Sequence, residues 1–219
     1  MLSAEIRWFW RGSSPSGLRD WFCGTTCNHG LAAAGDPRGR SDAYLLDPNQ
    51  KELGVKKRGN AKENKGVELK TLVGFGSSDI AAAPFVAPAE FWVKVNSGAL
   101  NLSHLPLIAI RKVRRLRKFD TSANLPIEIE LEDNSETPKG ARKLPVHGCN
   151  VEFTDITIES CGEKWCTFGF EAFGSLSTVE SSLKATAMLM TRRNFPGLMG
   201  GILASYPVWL TDFCNSKGS

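Results

Sequence analysis

The chain has no unbroken apolar run long enough to cross a membrane as a helix. Its longest apolar stretch, 196–213, is interrupted by Gly197, Gly200, Gly201 and Pro207, whereas a span needs about 20 consecutive apolar residues. Net charge is also small, with 27 Lys and Arg against 23 Asp and Glu for a formal +4. No aromatic residues are threaded through a basic face, so neither nucleic acid nor membrane is an expected partner. The three histidines, His29, His104 and His147, all fall in loop-like sequence, and none has a spaced partner to orient it for acid–base work. The strand–helix alternation of a parallel sheet is missing. Met1–Trp10 carries Glu5 and Arg7 and so lacks the apolar centre of a secretory leader. Six cysteines without an export signal then read as reduced thiols in a cytoplasmic protein. Cys23, Cys27 and His29 have C-x3-C-x-H spacing with no second half for a zinc site, and Cys161 and Cys166 flank a turn across which they could face each other.

What is present is alternation. A chain of 219 residues, 42% hydrophobic and 23% charged, suits one globular domain over 1–219. Side chains on a strand alternate between faces, and Ala4–Trp10 sets Glu5, Arg7 and Phe9 against Ile6, Trp8 and Trp10. So large an aromatic stripe demands cover. The stretch 15–22, with Leu18, Trp21 and Phe22 on one side, supplies a first covering helix. Further strands are expected over 40–46, 53–58, 67–73 and 90–95, with a final hairpin of 149–158 and 165–173. A helix capped by Ser177 or Thr178 follows, with Val179, Leu183, Ala187 and Met190 at helical spacing. Residues 195–210, broken by Gly and Pro, are expected to fold back as short helical turns.

The most basic stretch is LPLIAIRKVRRLRKFD, from Leu105 to Asp120. Alternation puts Lys112 and Arg114 on one face and leaves Arg115, Arg117 and Lys118 to run past the strand end towards a rim or solvent. Its electrostatic opposite, IEIELED from Ile127 to Asp133, sets Glu128, Glu130 and Glu132 against Ile127, Ile129 and Leu131. It reads as a neighbouring wall of the sheet, balancing those cations.

An antiparallel sheet with one wet face explains alternating charge without any function. The same cations, however, recur strand after strand: Arg7, Lys56, Arg58, Lys70, Lys94, Lys112 and Arg114, with Glu5, Glu68, Glu90, Glu128, Glu130, Glu152 and Glu171 as acidic counterparts. A sheet closed around them would hold a water-filled, charged channel. Such a channel suits a small phosphorylated anion, which needs several cations along its length and carboxylates for its accompanying divalent metal. A third alternative is an apolar-ligand carrier or plain structural barrel, in which some of the six tryptophans line a pocket.

Several segments carry a family resemblance. They are the first strand with Glu5, RSDAYLLDP followed by LGVKKRG, VELK ending in Lys70, IRKVRR with Lys112 and Arg114, and the late pair VEF and GFEAFG with Glu152 and Glu171. In this order they resemble the CYTH superfamily, or triphosphate tunnel metalloenzymes, which includes thiamine triphosphatases, inorganic triphosphatases and class IV adenylyl cyclases. The resemblance implies an α+β fold, an eight-stranded antiparallel barrel or tunnel with helices packed outside, including a C-terminal helix. It also implies metal-dependent triphosphate hydrolysis. Glu152 and Glu171 would be catalytic; Glu5, Glu152 and Glu171 would hold Mg2+ or Mn2+. Arg7, Lys56, Arg58, Lys70, Lys94, Lys112 and Arg114 would grip the phosphates. The family's first strand reads E-x-E-x-K where this one has Glu5, Arg7 and Phe9, and Gly54 stands where an arginine is common. These replacements motivate the alternative of a non-catalytic module that binds a phosphorylated or polyanionic ligand. Oligomeric state, monomer or homodimer, is left open.

Overall fold

The structure is a computed structural model that describes residues 1–24, 34–35, 39–47, 49–59, 66–76, 85–132, 136–140 and 143–216. In chain order its strands are β1 (Leu2–Arg11), β2 (Ala34–Gly35), β3 (Arg40–Leu45), β4 (Leu53–Arg58), β5 (Val67–Phe75), β6 (Glu90–Ser97), β7 (Leu107–Asp120), β8 (Ile127–Ile129), β9 (Gly148–Ile158), β10 (Lys164–Gly174) and β11 (Ile202–Leu203). Its helices are α1 (Leu18–Cys23), α2 (Val179–Thr191) and α3 (Tyr206–Asn215). Eight strands close into an antiparallel barrel in the order β1-β10-β9-β7-β3-β4-β5-β6, with β6 returning to β1. This is the α+β barrel with a C-terminal helix that the resemblance implies. Closure removes the unpaired edges an open sheet would expose.

The wall has two apolar faces. Outside, Ile6, Trp8 and Trp10 of β1 join Phe168 and Phe170 of β10 under α1 and α2, whose Leu18, Trp21, Phe22, Val179, Leu183, Ala187 and Met190 are all buried. The expected cover for the tryptophan stripe is therefore present. Phe85 completes it, fully buried against Trp8, Phe168 and Phe170. Thr178 holds the N-cap position of α2, but its hydroxyl donates to the Ser175 carbonyl and does not cap the helix.

The inward face changes character along the barrel. One end is apolar, built from Phe9, Ile108, Ile110, Ile156, Ile158 and Trp165, and α3 stops that mouth with Trp209, Leu210 and Phe213. Trp209 stacks on Phe9 with ring centroids 4.8 Å apart and meets Trp165 edge-on at 5.5 Å. The ring at Phe9 is thus an anchor for α3. Gly54 has a matching reason: a Cβ there would lie 3.1 Å from Pro207 Cγ, so the bare backbone of β4 lets α3 seat. The tail 195–210, expected as short turns, instead runs through β11 into α3, a helix of ten residues. Pro207 near its start is tolerated because the first turn's N–H groups have no helical acceptor anyway.

Two expectations for the basic and acidic stretches are corrected. β7 runs unbroken to Asp120, so Arg117 and Lys118 do not reach solvent. Arg117 is buried on the outer face of the wall, where its Nε donates to the Phe22 carbonyl and its guanidinium pairs with Glu128. Lys118 lies over the Phe173 ring. The acidic stretch is no barrel wall: β8 spans three residues and extends the β7 edge beyond β3. Glu128 turns in to Arg117 and Arg193, while Glu130 meets Lys139 in solvent. With so short a strand, facing is set by local partners and not by strict alternation. Cys161 is exposed in its turn and Cys166 is buried under the helices, so they do not face each other. Cys27 and His29 lie outside the described residues.

Candidate functional site

Closing the sheet gathers the charged alternation of eight strands into one cavity of about 590 Å³. Every residue that the sequence singled out for metal, catalysis or substrate lines it: Glu5 and Arg7 from β1, Lys56 and Arg58 from β4, Lys70 from β5, Lys94 from β6, Lys112 and Arg114 from β7, Glu152 from β9 and Glu171 from β10. Arg40 and Tyr44 of β3 and Tyr206 of α3 also line it, and the sequence did not single them out. The first two were within reach of it, since Arg40, Asp42 and Tyr44 alternate in phase. Tyr206 gave no such signal, coming from a Gly- and Pro-broken stretch.

The acidic side chains are all engaged. Glu5 pairs with Lys70, and its Oε1 lies 3.2 Å from Lys94 Nζ and accepts from Ser3 Oγ at 2.8 Å. Lys94 also pairs with Glu171, which stands opposite Glu5 in the β1–β10 register. Glu152 is held between two guanidinium groups, accepting from Arg7 Nη2 and Arg114 Nη1, each at 3.0 Å. Arg114 reaches on to Glu136. Glu68 takes Lys56 at 2.7 Å and Arg58 at 3.4 Å. Arg7 fits because β10 has Gly169 opposite it; a Cβ there would lie 3.1 Å from the Arg7 Cβ and 2.8 Å from the Ile6 carbonyl oxygen.

Burial opposes ionisation of these carboxylates, but their cations win. Desolvation pushes Glu5 and Glu152 up, and the attraction of Lys70 and Lys94 for the one, and of Arg114 and Arg7 for the other, carries both far below the usual carboxylate range. Glu68, likewise desolvated, is brought down to about 2 by Lys56. Lys94 is desolvated too, yet Glu171 and Glu5 hold its pKa above the ordinary lysine value.

Lys112 is the exception among the basic residues. It is buried, and no carboxylate of the described residues lies within ion-pair distance of its amine. Lys112 Nζ donates to the Tyr44 hydroxyl and lies 3.6 Å from the centroid of the Tyr206 ring. Burial, then the charge of Lys56, pushes its pKa well below the ordinary lysine value, with Arg40 and Arg7 adding to the effect; Asp42 pulls the other way. The two tyrosine faces favour the ammonium as well, but a cation–π contact contributes only about 2 kcal/mol even when desolvated. On the same cavity wall, Arg7 Nη1 is buried without a hydrogen-bond partner.

In total the cavity wall has eight basic and six acidic residues. Among the described residues, no three Asp, Glu, Cys or His side chains stand together as a metal-holding group. Glu5, Glu152 and Glu171, the carboxylates that the family resemblance assigns to Mg2+ or Mn2+, are each occupied by lysine or arginine. This donor set does not fit a divalent ion, because each such position would bring a cation against a cation. What the arrangement can do without rearranging is bind an anion: Lys112, Arg7, Arg114, Lys56 and Arg58 line the same water-accessible space. No protein-family model matches the chain, and no curated protein matches it.

Proposed function

We propose that this barrel is a receptor for a small, multiply charged phosphorylated anion held among Arg7, Lys56, Arg58, Lys112 and Arg114. The observation that supports this most directly is the surplus of basic groups in the cavity, with Lys112 and Arg7 Nη1 lacking an acidic partner. A buried donor left unpaired costs about 1–3 kcal/mol, which a phosphate oxygen would recover. Tripolyphosphate is a suitable probe. Calorimetry should show binding, and Arg114→Ala should weaken it by about 1.5–3 kcal/mol through loss of a charge-assisted contact. An unchanged affinity in that variant would rule out this face as the ligand's.

Binding should also take up protons. Lys112 has a depressed pKa in the free barrel, and an anion beside it favours the ammonium and raises that pKa. Between the two values the complex holds a proton that the free protein lacks, so affinity falls as pH rises through this window and is unaffected below it. Calorimetry in two buffers of different ionisation enthalpy, repeated across a broad pH range below the ordinary lysine pKa, should register uptake of up to about one proton per site. Identical apparent enthalpies in both buffers across that range would show that Lys112 is charged beforehand.

A second reading, hydrolysis of a triphosphate or other phosphoanhydride, is favoured by Lys112 itself. A buried amine of depressed pKa can accept a proton from attacking water, while the surrounding cations offset charge developing on the phosphoryl oxygens. Dependence on Mg2+ or Mn2+ would require the ion pairs of Glu5, Glu152 and Glu171 to open. Phosphate release from tripolyphosphate or ATP, with and without each ion, separates turnover from binding alone.

A further inference from the structure

We propose that Lys112 is a nucleophilic lysine which forms a Schiff base with a phosphate-bearing aldehyde or ketone drawn into the barrel. This rests on the anion-binding reading and narrows its ligand class to phosphorylated carbonyl compounds. A nucleophilic amine must be free of a carboxylate that would hold it as ammonium, must face a cavity the carbonyl can enter, and needs a neighbour able to pass protons. Lys112 meets all three conditions. Its amine contacts the Tyr44 hydroxyl and the Tyr206 ring, and it lines the 590 Å³ cavity.

The groups facing Lys112 are Arg40, Asp42 and Tyr44 from β3, Lys56 from β4, Arg7 from β1 and Tyr206 from α3. Asp42, the only carboxylate in this set, is fully buried and taken up by Arg40 at 3.3 Å. The net surroundings are cationic, which disfavours the ammonium, and Arg7, Arg40 and Lys56 offer the phosphate its partners beside the amine. The other lysines of the site lack this combination, since Lys56, Lys70 and Lys94 each touch a glutamate.

The chemistry balances without any further reactant. The Nζ lone pair attacks the carbonyl carbon and a C–N bond forms, while the carbonyl electron pair moves to oxygen, which takes up a proton to give a carbinolamine. The C–O bond then breaks. The two amine hydrogens leave with the carbonyl oxygen as water, and a C=N bond remains. The Tyr44 hydroxyl can pass these protons and is itself unchanged at the end.

Pyridoxal 5′-phosphate followed by borohydride reduction tests this on the whole chain, with peptide mass mapping to locate the adduct. The expected result is a single adduct at Lys112, formed at least about tenfold faster than with pyridoxal, which has no phosphate for the cations to draw in. Excess tripolyphosphate should block it in the unaltered protein, and Lys112→Met should abolish it. The competition arm needs no variant, so a misfolded Lys112→Met would not spoil the test. Label spread over exposed lysines such as Lys51, or equal labelling of Lys112 by pyridoxal, would overturn the proposal. If calorimetry shows tripolyphosphate binding while Lys112 stays unlabelled, the Schiff base is wrong and the anion site stands; failure of both removes the anion site as well.

Discussion

Glu152→Gln is expected to destabilise the barrel and at the same time tighten its hold on a phosphate. The carboxylate sits buried between Arg7 and Arg114, accepting from both at 3.0 Å. Replacing it with an uncharged amide leaves two guanidinium groups facing each other in a low-dielectric site. Removing one partner of a buried ion pair costs about 3–5 kcal/mol, because the remaining charge is uncompensated. Chemical denaturation should report a loss of that size. A phosphate bound beside the amide could then supply the negative charge that Arg7 and Arg114 have lost, so affinity for tripolyphosphate should rise by at least about tenfold. Ligand should also restore much of the lost stability, by about 2.7 kcal/mol at a hundredfold excess over Kd. Weaker binding in this variant would contradict the anion receptor. It would mean that Glu152 works for the ligand, as a carboxylate does when it holds a metal that accompanies a polyphosphate.

The second large effect concerns the stopped mouth. Trp209→Ala should cost about 3–5 kcal/mol, the range for truncating a buried aromatic residue. It removes the stack on Phe9 and the edge contacts to Trp165 and Tyr206. Trp209→Phe keeps a ring in the same place and discards an indole N–H that is buried without a partner. It should therefore cost no more than about half as much, because the smaller ring leaves a smaller cavity. If the Ala and Phe variants lose equal stability by denaturant titration, the ring packing is not what seats α3.

Much of this architecture was legible in the sequence, and the reason is the period of two. Glu5, Arg7 and Phe9 on one face and Ile6, Trp8 and Trp10 on the other already specify a charged lining and a covered exterior. The ten residues expected at a site come from seven strands, and one cavity unites them. What alternation could not show is pairing across strands. That Lys112 alone among the lining lysines would lack a carboxylate depends on which residues of β1, β3, β4 and α3 end up beside it. Arg117 was misjudged because local polarity said solvent, while the Phe22 carbonyl and Glu128 supply buried acceptors from distant parts of the chain. That α3 would plug the barrel mouth was not legible, for a different reason. Its residues Tyr206, Pro207, Trp209, Leu210 and Phe213 line or fill the barrel mouth, and Gly200, Gly201 and Pro207 before and within it mask the helical period.

The seam between β1 and β10 has a kinetic consequence. Leu2 lies opposite Gly174 and Arg11 opposite Trp165, so the barrel closes by joining segments from nearly opposite ends of the described chain. Loop-closure entropy must be spent before that contact returns anything, and topologies dominated by such distant pairings fold in milliseconds to seconds. The β9–β10 hairpin and its pairing with β7 join neighbours in sequence and can form earlier. Until the seam zips, Trp8 and Trp10 have neither Phe168 nor the helices to cover them, and the unfinished sheet presents two bare edges. Stopped-flow refolding followed by tryptophan fluorescence should therefore show a slow phase, on the order of milliseconds to seconds, and that phase is the interval in which this chain is most exposed to aggregation.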